Sequence, residues 1–595
     1  MASTALNTRA VRAAWRVWIT IRRSLVLPLV IALPALYWVV EATKRASLTT
    51  LGRDQGIFQY VAWAIERGAV DYRDVRDVNG PLTHLIHLVF LQFGGADEHR
   101  FRVLDLVITG MTFAFAGACL PGIAKKKVRW IERAGWAFAA WVVLSSQLVM
   151  YIYWDLAQRE SFFDWFMLSA IALQFVAQRR LATSRASADS TWQAWPLASA
   201  AALGAIPWFG KPTYVLFSVV QFVALVVDDE LSLSQKRRFA VFALGAAAGA
   251  ATQIAFLLRY ADIGAFLRIY MVDVPAMYRF MMPRTTAEIL GLNWGAPPAL
   301  MALVTALVHL GLVVERQMPR RTVSFALMPL AAIVSVLAQA KGFPYHFHPV
   351  SAGIHLDWLV LVVWLWERLG RAPFGLRLVP FGAAAALATK LAVTLPLSPH
   401  VVDEWILAKA RDSEERASRD YLVYFETRDF FPWDMRQTAD YLRTHTKPTD
   451  RVQIYGMDPY VLFLAERMSA SPYIYVYDLN ADAAISGSWL PDGPRPNPQQ
   501  AAVITRMRDD HERDMLAHLK QQPPAAFVFF DKSPLTSNGS ASQDFEEHCP
   551  ETAAWVHEHY RETAVFGEDH VWMRNDVAGI AGVVSPERHA IETHP

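Results

Sequence analysis

Residues 24–42, SLVLPLVIALPALYWVVEA, decide the fold of this chain. The run is close to the about 20 apolar residues that cross a bilayer as a helix. Arg9, Arg12, Arg16, Arg22 and Arg23 precede it, while Glu41, Lys44 and Arg45 stand at its far end in place of a small-residue cleavage site. That pattern reads as a retained signal anchor with its N-terminus in the cytoplasm. Comparable runs recur at 101–123, 134–153, 162–177, 192–209, 213–228, 239–258, 296–314, 322–340, 351–366 and 378–396, which makes eleven expected spans. Residues 81–94, PLTHLIHLVFLQFG, differ: 14 positions with His84, His87 and Gln92 are too few and too polar for a crossing. They read as an amphipathic helix at the outer surface.

The basic residues orient the spans. Lys125, Lys126, Lys127, Arg129 and Arg133 fall between the second and third; Arg179, Arg180 and Arg185 follow the fourth. Lys236, Arg237 and Arg238 follow the sixth, Arg316, Arg320 and Arg321 the eighth, and Arg368, Arg371 and Arg377 the tenth. Every second connection is basic, so a single threading puts these turns in the cytoplasm. The other connections, and everything after residue 396, then face outside.

Composition agrees and excludes other classes. Of 595 residues, 53% are hydrophobic and 19% charged, below the roughly 25% charged of soluble chains. The 21 Trp and 33 Phe rule out disorder, and two Cys rule out a disulfide scaffold. Cys119 and Cys549 fall on opposite sides of the membrane in this threading and cannot pair. A balance of 57 basic and 55 acidic residues leaves no footprint for nucleic acid. Mean hydropathy of only +0.19 implies that a soluble part dilutes the membrane part.

The division falls at 396/397: a transmembrane module over 1–396 and an extracytoplasmic α/β domain over 397–595. In the latter, helical patterns at 434–445, 459–468 and 501–520 alternate with strand-like runs at Val452–Tyr455, Tyr473–Tyr477 and Ala526–Phe530. Residues 488–499 read as a loop. Asp458 and the pair Asp531-Lys532 read as turn residues or binding positions.

The chemistry concentrates in the first external loop, residues 50–82, TLGRDQGIFQYVAWAIERGAVDYRDVRDVNGPL. Asp54 opens it, Gly68 turns it, and Tyr72, Asp74 and Asp77 follow before Asn79-Gly80-Pro81. Carboxylates at a membrane face suit proton abstraction from a sugar hydroxyl. Equally, they form a solvated loop balanced by Arg53, Arg67, Arg73 and Arg76.

A span, an Asp at the start of the first external loop, then Gly, Tyr-x-Asp, Gly-Pro-Leu and an amphipathic helix resemble the membrane glycosyltransferases of the GT-C superfamily. The nearest branch is the bacterial one related to protein O-mannosyltransferases, the lipid A aminoarabinose transferase and rhizobial galacturonosyltransferases. The resemblance covers residues 24–260 in order and spacing, and the rest more weakly. It implies a GT-C-like polytopic α-helical membrane protein of about eleven transmembrane helices with a C-terminal extracytoplasmic α/β domain. It also implies transfer of a sugar from a polyprenyl-phosphate donor at the outer face of the bacterial cytoplasmic membrane, in cell-envelope chemistry.

Asp54 matches the family's acidic residue in the first loop, the expected general base. The family often has Asp-Glu there, whereas this chain has Asp54-Gln55, which weakens a case for a metal ion. Ala157-Gln158-Arg159-Glu160 matches the second-loop carboxylate, making Glu160 the second expected catalytic residue. Tyr72, Asp74 and Asp77 are the candidates for binding acceptor or sugar. Lys211-Pro212 resembles a Lys-Gly-Pro element, and Lys341, His346 and His348 lie together in KGFPYHFHP (341–349). These four side chains are candidate cations for the donor phosphate, whose leaving builds negative charge. A His-x-His pair lacks the further ligands of a metal site, so no metal site is assigned and no cofactor is required.

Loop 259–295, with Arg259, Arg268, Arg279, Arg284, Tyr260, Tyr270, Tyr278 and Trp294, is long enough to be a lid or a disordered connection. The expected partners are the polyprenyl-phosphate sugar, membrane lipid, and a glycan, lipid or protein acceptor, with no nucleic acid. The competing reading is a transporter or flippase of a lipid-linked sugar, for which Asp105 within the second span is the marker.

Overall fold

A computed structural model describes residues 2–125, 127–183, 194–369, 373–394, 404–486, 494–536 and 539–578. Lys126, Arg185, Arg371 and residues 488–493 of the expected loop lie outside them. The chain folds as two compact units. The first comprises Met1–Thr49, His99–Gln253 and Thr286–Glu404, and the second Thr50–Glu98, Ile254–Thr285 and Trp405–Pro595. The single cut at 396/397 expected from sequence is therefore replaced by an interleaved division. Thr50–Glu98 and Ile254–Thr285 fold with the C-terminal segment.

The first unit is a bundle of helices. Among the described residues, seven helices are long and apolar enough to cross a membrane: Ser24–Leu48, Glu98–Cys119, Arg159–Thr183, Gln235–Tyr260, Ala296–Val314, Arg320–Gln339 and Pro344–Leu369. The chain is a multi-pass membrane protein. The remaining four expected spans are also helical where described, three of them shorter or broken and the fourth carrying Pro380 inside it. Trp130–Ser145 stops at Ser146, whose hydroxyl bonds back to the Val143 carbonyl (2.6 Å), before the short helix Gln147–Met150. Trp195–Ala205 gives way to a tighter turn, Ile206–Phe209, where Pro207 removes a backbone donor. Pro212–Val227 and Phe374–Thr394 complete the set.

Packing follows the side chains. On Ala296–Val314, Leu300, Leu303, Val304, Leu307 and Val308 are exposed, whereas Ala302, Thr305, Ala306 and His309 are buried. An apolar face turned outward suits a helix bathed in lipid, because lipid imposes no penalty on exposed Leu and Val. Gly245 and Gly249, one turn apart on Gln235–Tyr260, lie against the carbonyl oxygens of Ala198 and Ala202. A β-carbon at either would collide with backbone, so this small-residue stripe lets two helices touch. Cys119 is buried in this unit and Cys549 in the other, and neither forms a disulfide.

The second unit contains a five-stranded sheet of order β2-β1-β3-β5-β4. Strands β1 (Arg451–Tyr455), β2 (Met468–Ser469) and β3 (Ala526–Phe530) run parallel, with Val452 beside Ala526. The hairpin β4 (Tyr560–Phe566) and β5 (Asp569–Arg574) closes the sheet antiparallel to β3. Helices Pro432–His445 and Pro498–Gln521 form where helical patterns predict them, whereas the helix expected over 459–468 covers only Tyr460–Ala465 and Met468 enters β2. Tyr473–Tyr477 forms no strand. It runs into a helical turn at Val476–Asp478, and its alternating tyrosines serve polar contacts instead of a sheet face.

Residues 259–295 are not a structureless loop. Helix Ile263–Arg268 runs through a π-helical turn at Ile269–Asp273 into Val274–Ala276, and a tight turn at Tyr278–Phe280 precedes Thr286–Gly291.

Candidate functional site

In the second unit, the stretch after the first span builds two helices, Arg53–Glu66 and Pro81–Gly94, joined by a tight segment. Asp54 stands in the first turn of Arg53–Glu66, where the helix dipole favours a negative charge. Helix Pro81–Gly94 forms over the expected residues, yet its histidines point inward. His84 and His87 are both fully buried.

His84 organises the segment. Its Nδ1 lies 2.7 Å from Oδ2 of Asp71 and its Nε2 lies 2.8 Å from Oδ2 of Asp77. A carboxylate only accepts, so two carboxylates require both ring nitrogens to donate, and the imidazole is cationic. Burial alone would push its pKa down, but the flanking carboxylates raise it to about 10. Asp77 also accepts from the Tyr475 hydroxyl (2.7 Å) and the Asn79 amide (2.7 Å). Tyr72 sits at φ +65°, a conformation disfavoured for a bulky residue, and donates its hydroxyl to the Asn79 carbonyl (2.8 Å). Asp74 faces outward, accepting from Val70 N (2.8 Å) and pairing with Arg73 (2.8 Å).

Of the three candidates for acceptor or sugar, then, Tyr72 and Asp77 are built into the loop's own scaffold and Asp74 closes a turn. Arg76 ties the scaffold further: it pairs with Asp273 of the 254–285 segment and lies 3.0 Å from Asp478 of the C-terminal segment. These ion pairs tie three separated stretches of sequence together within the unit.

In the first unit, the structure brings together three of the sequence-selected residues. Glu160, at the start of helix Arg159–Thr183, is completely buried and accepts from the Lys211 ammonium. Lys211 also donates to Oε1 of Gln339 (2.5 Å), which in turn donates to the Ser335 carbonyl (3.1 Å). Nε2 of His346 lies 3.6 Å from Glu160. Proline shapes this arrangement: Pro212 and Pro344 each open a tight turn immediately beside Lys211 and His346.

The same cluster contains residues that sequence reading passed over. Asp164 is one turn beyond Glu160 on the same helix face, and Tyr214 packs edge-on against Phe163 at 5.0 Å. Among the described residues, no group hydrogen-bonds Oε2 of Glu160, either carboxylate oxygen of Asp164 or the Tyr214 hydroxyl. The spacing Glu-x-x-x-Asp was the available signal for Asp164.

The other two phosphate candidates have different surroundings. His348 donates Nε2–H to the Asp155 carbonyl (2.7 Å), and its ring lies 4.1 Å from Tyr151. Lys341 is buried in a turn whose neighbours Ala340 and Gly342 both adopt positive φ. Burial pushes its ammonium down to about 7. At Gly342 a β-carbon would press on Ile289 at 3.0 Å, so glycine fits both the backbone and the space. Among the described residues, no three His, Cys, Asp or Glu side chains are placed to hold a metal ion.

Among solved structures, the chain is similar to ArnT from Cupriavidus metallidurans bound to undecaprenyl phosphate. The identity is 12%, over 94% of this chain and 99% of that one, with a TM-score of 0.49. It is also similar to the archaeal oligosaccharyltransferase AglB from Archaeoglobus fulgidus in complex with an inhibitory peptide and a dolichol-phosphate. There the identity is 14%, over 88% of this chain and 71% of that one, with a TM-score of 0.38. No family model and no curated protein matches the chain.

Proposed function

We propose that this chain is a glycosyltransferase that moves a sugar from a polyprenyl-phosphate carrier to an acceptor hydroxyl at the outer face of the bacterial cytoplasmic membrane. The observation that carries the reading is the buried cluster of Glu160, Lys211, Gln339 and His346 in the helical bundle. Ionisable groups inside a membrane bundle are costly, and they are retained where they handle substrate. The order and spacing of the motifs from the first span onward add to it.

In the proposed step the Asp54 carboxylate takes the acceptor's hydroxyl proton, and that oxygen forms a bond to the anomeric carbon. The bond from the anomeric carbon to the phosphate oxygen breaks on the opposite face, and its electron pair leaves with the polyprenyl phosphate. The anomeric centre is inverted, and no covalent enzyme intermediate forms. Lys211, Lys341 and His346 supply positive charge or donors as the phosphate departs. Glu160 holds Lys211 in place and so sets where that charge sits.

The test uses the full-length chain in detergent or proteoliposomes with undecaprenyl-phosphate mannose, galacturonic acid or aminoarabinose, in the presence of envelope extract as acceptor. Carrier-linked sugar should be consumed by the wild-type chain. Consumption should drop by about 10³-fold in Asp54→Asn and in Glu160→Gln, with unfolding temperature held as a control. Undiminished transfer by Asp54→Asn sinks the assignment of the base. Movement of the lipid-linked sugar across sealed vesicles with no transfer would establish a flippase instead.

A further inference from the structure

Within the second unit, the C-terminal segment meets the loop after the first span at Arg53, the residue next to Asp54. Nε of Arg53 lies 3.0 Å from Oδ1 of Asp458, and Nη2 donates to the backbone carbonyl of Asp429. Nη1 is 3.8 Å from the Asp429 carboxylate, and the guanidinium carbon sits 5.5 Å from the centre of the Phe430 ring. Arg53 and Asp458 are both largely buried, at 11% and 7% side-chain exposure. A planar guanidinium hydrogen-bonded through both Nε and Nη2 is held in one orientation.

Further bonds run along the same helix. Gly56 lets the backbone close on Tyr460: a β-carbon there would stand 2.7 Å from that of Tyr460. The Tyr60 hydroxyl accepts from Ser469 N (2.7 Å), and Trp63 packs edge-on against Phe463 at 6.3 Å. Helix Arg53–Glu66 is thus held from its first turn to its last by residues 429–469. The ion pairs of Arg53 with Asp429 and Asp458 fall at the turn that carries Asp54.

We propose that Asp458 is a positioning residue for the transfer reaction, fixing Asp54 through the guanidinium of Arg53. This rests on the reading of Asp54 as the base. It assigns the C-terminal segment a role in placing a reactive group of the first loop. A base must lie within hydrogen-bond reach of the proton it abstracts, and a displacement of about 1 Å costs roughly 10²-fold. Asp458→Asn removes the charge that orients Arg53 while leaving a side chain of equal size.

Two measurements on the full-length chain separate the clamp from the reading beneath it. In amide hydrogen exchange, Asp458→Asn should lower protection of residues 53–58 by about tenfold or more, whereas Asp458→Glu should restore it. In transfer with the undecaprenyl-phosphate donor that the wild-type chain consumes, kcat should fall about 10- to 100-fold in Asp458→Asn at unchanged donor KM. Asp458→Glu should recover most of that loss.

Should Asp458→Asn not fold, Arg53→Lys tests the same contact, since an ammonium cannot reproduce the two fixed hydrogen bonds of the guanidinium. Unchanged exchange in the folded variant overturns the clamp. Lost protection with full kcat, or a loss expressed wholly in KM, overturns the positioning role. Full transfer by Asp54→Asn, or no consumption of any donor by the wild-type chain, overturns the underlying reading, whatever the exchange shows.

Discussion

Two buried clusters, one in each unit, hold charge in opposite ways. In the second, Asp71, His84 and Asp77 form a closed set in which both ring nitrogens of His84 meet a carboxylate. Tyr475 and Asn79 supply further donors to Asp77. In the first, Glu160 is bonded through one oxygen only, and among the described residues Asp164 and Tyr214 have no hydrogen-bond partner for their buried oxygens. A fully matched buried ion pair contributes to architecture. Buried groups left unmatched cost free energy, and natural structures keep them where a ligand or reaction needs them.

Mutation should separate the two cases most sharply at His84 and Asp164. His84→Leu strips Asp71 and Asp77 of their common cation and should destabilise the second unit by about 3–5 kcal/mol. Asp164→Asn has no bond to lose, so the unfolding temperature of the whole chain should stay level or rise while transfer falls. Thermal unfolding of the two purified variants checks the pair. A large loss of stability in Asp164→Asn would erase the distinction.

The wild-type chain should also show a pH signature. The pKa of His84 is raised in the folded state, so its stabilisation is complete below about 6.5 and drains away as pH rises towards about 10. His84→Leu should lack that slope.

A smaller effect should sharpen the picture within the first unit. Lys341 titrates near 7 because burial disfavours its charged form. It is therefore cationic below that pH and neutral above it, whereas a phosphodiester keeps its charge throughout. Donor KM should rise roughly tenfold between pH 6.5 and 8 if Lys341 serves the phosphate. Lys341→Gln should have a high KM with no such limb. A limb that survives the substitution would assign it to another group.

Sequence gave access to these regions unevenly, and the reasons are physical. Spans such as Ser24–Leu48 and Ala296–Val314 announce themselves because bilayer thickness demands about 20 apolar residues in a row. Glu160 and Lys211 were selected separately from local motifs, and the fold pairs them. His84 could not be interpreted the same way. Its helix was legible, but its partners are set by turns at Asp71 and Asp77 and by Tyr475, which lies 398 positions from Asp77.

The same limit explains the strand expected at Tyr473–Tyr477. Alternation of Tyr with Ile and Val mimics a half-buried strand, yet Tyr473 donates to Asp514 (3.1 Å) and Tyr475 to Asp77. Conversely, the β4–β5 hairpin lies in YRETAVFGEDHVWMR, where charged residues interrupt the apolar pattern. Asp458 reads as a turn residue or a binding position because nothing local reveals that Arg53 reaches it from the far end of the chain.

The smallest effect tests whether the second unit's set of bonds is as complete as its geometry implies. The Tyr475 hydroxyl donates to Asp77 and accepts from Val78 N at 2.9 Å, so one atom serves two buried groups. Tyr475→Phe removes both bonds without changing the ring. Asp77 keeps His84 and Asn79, so its charge remains paired and the loss should be about 1–2 kcal/mol, well short of that for His84→Leu. Val78 N is left without that acceptor, which accounts for the upper half of the range. Unfolding of Tyr475→Phe, His84→Leu and the double variant gives the coupling. A double variant no less stable than His84→Leu alone would mean that the phenol acts only through the His84 network. Full additivity would mean that Tyr475 holds the loop through Val78 independently of it.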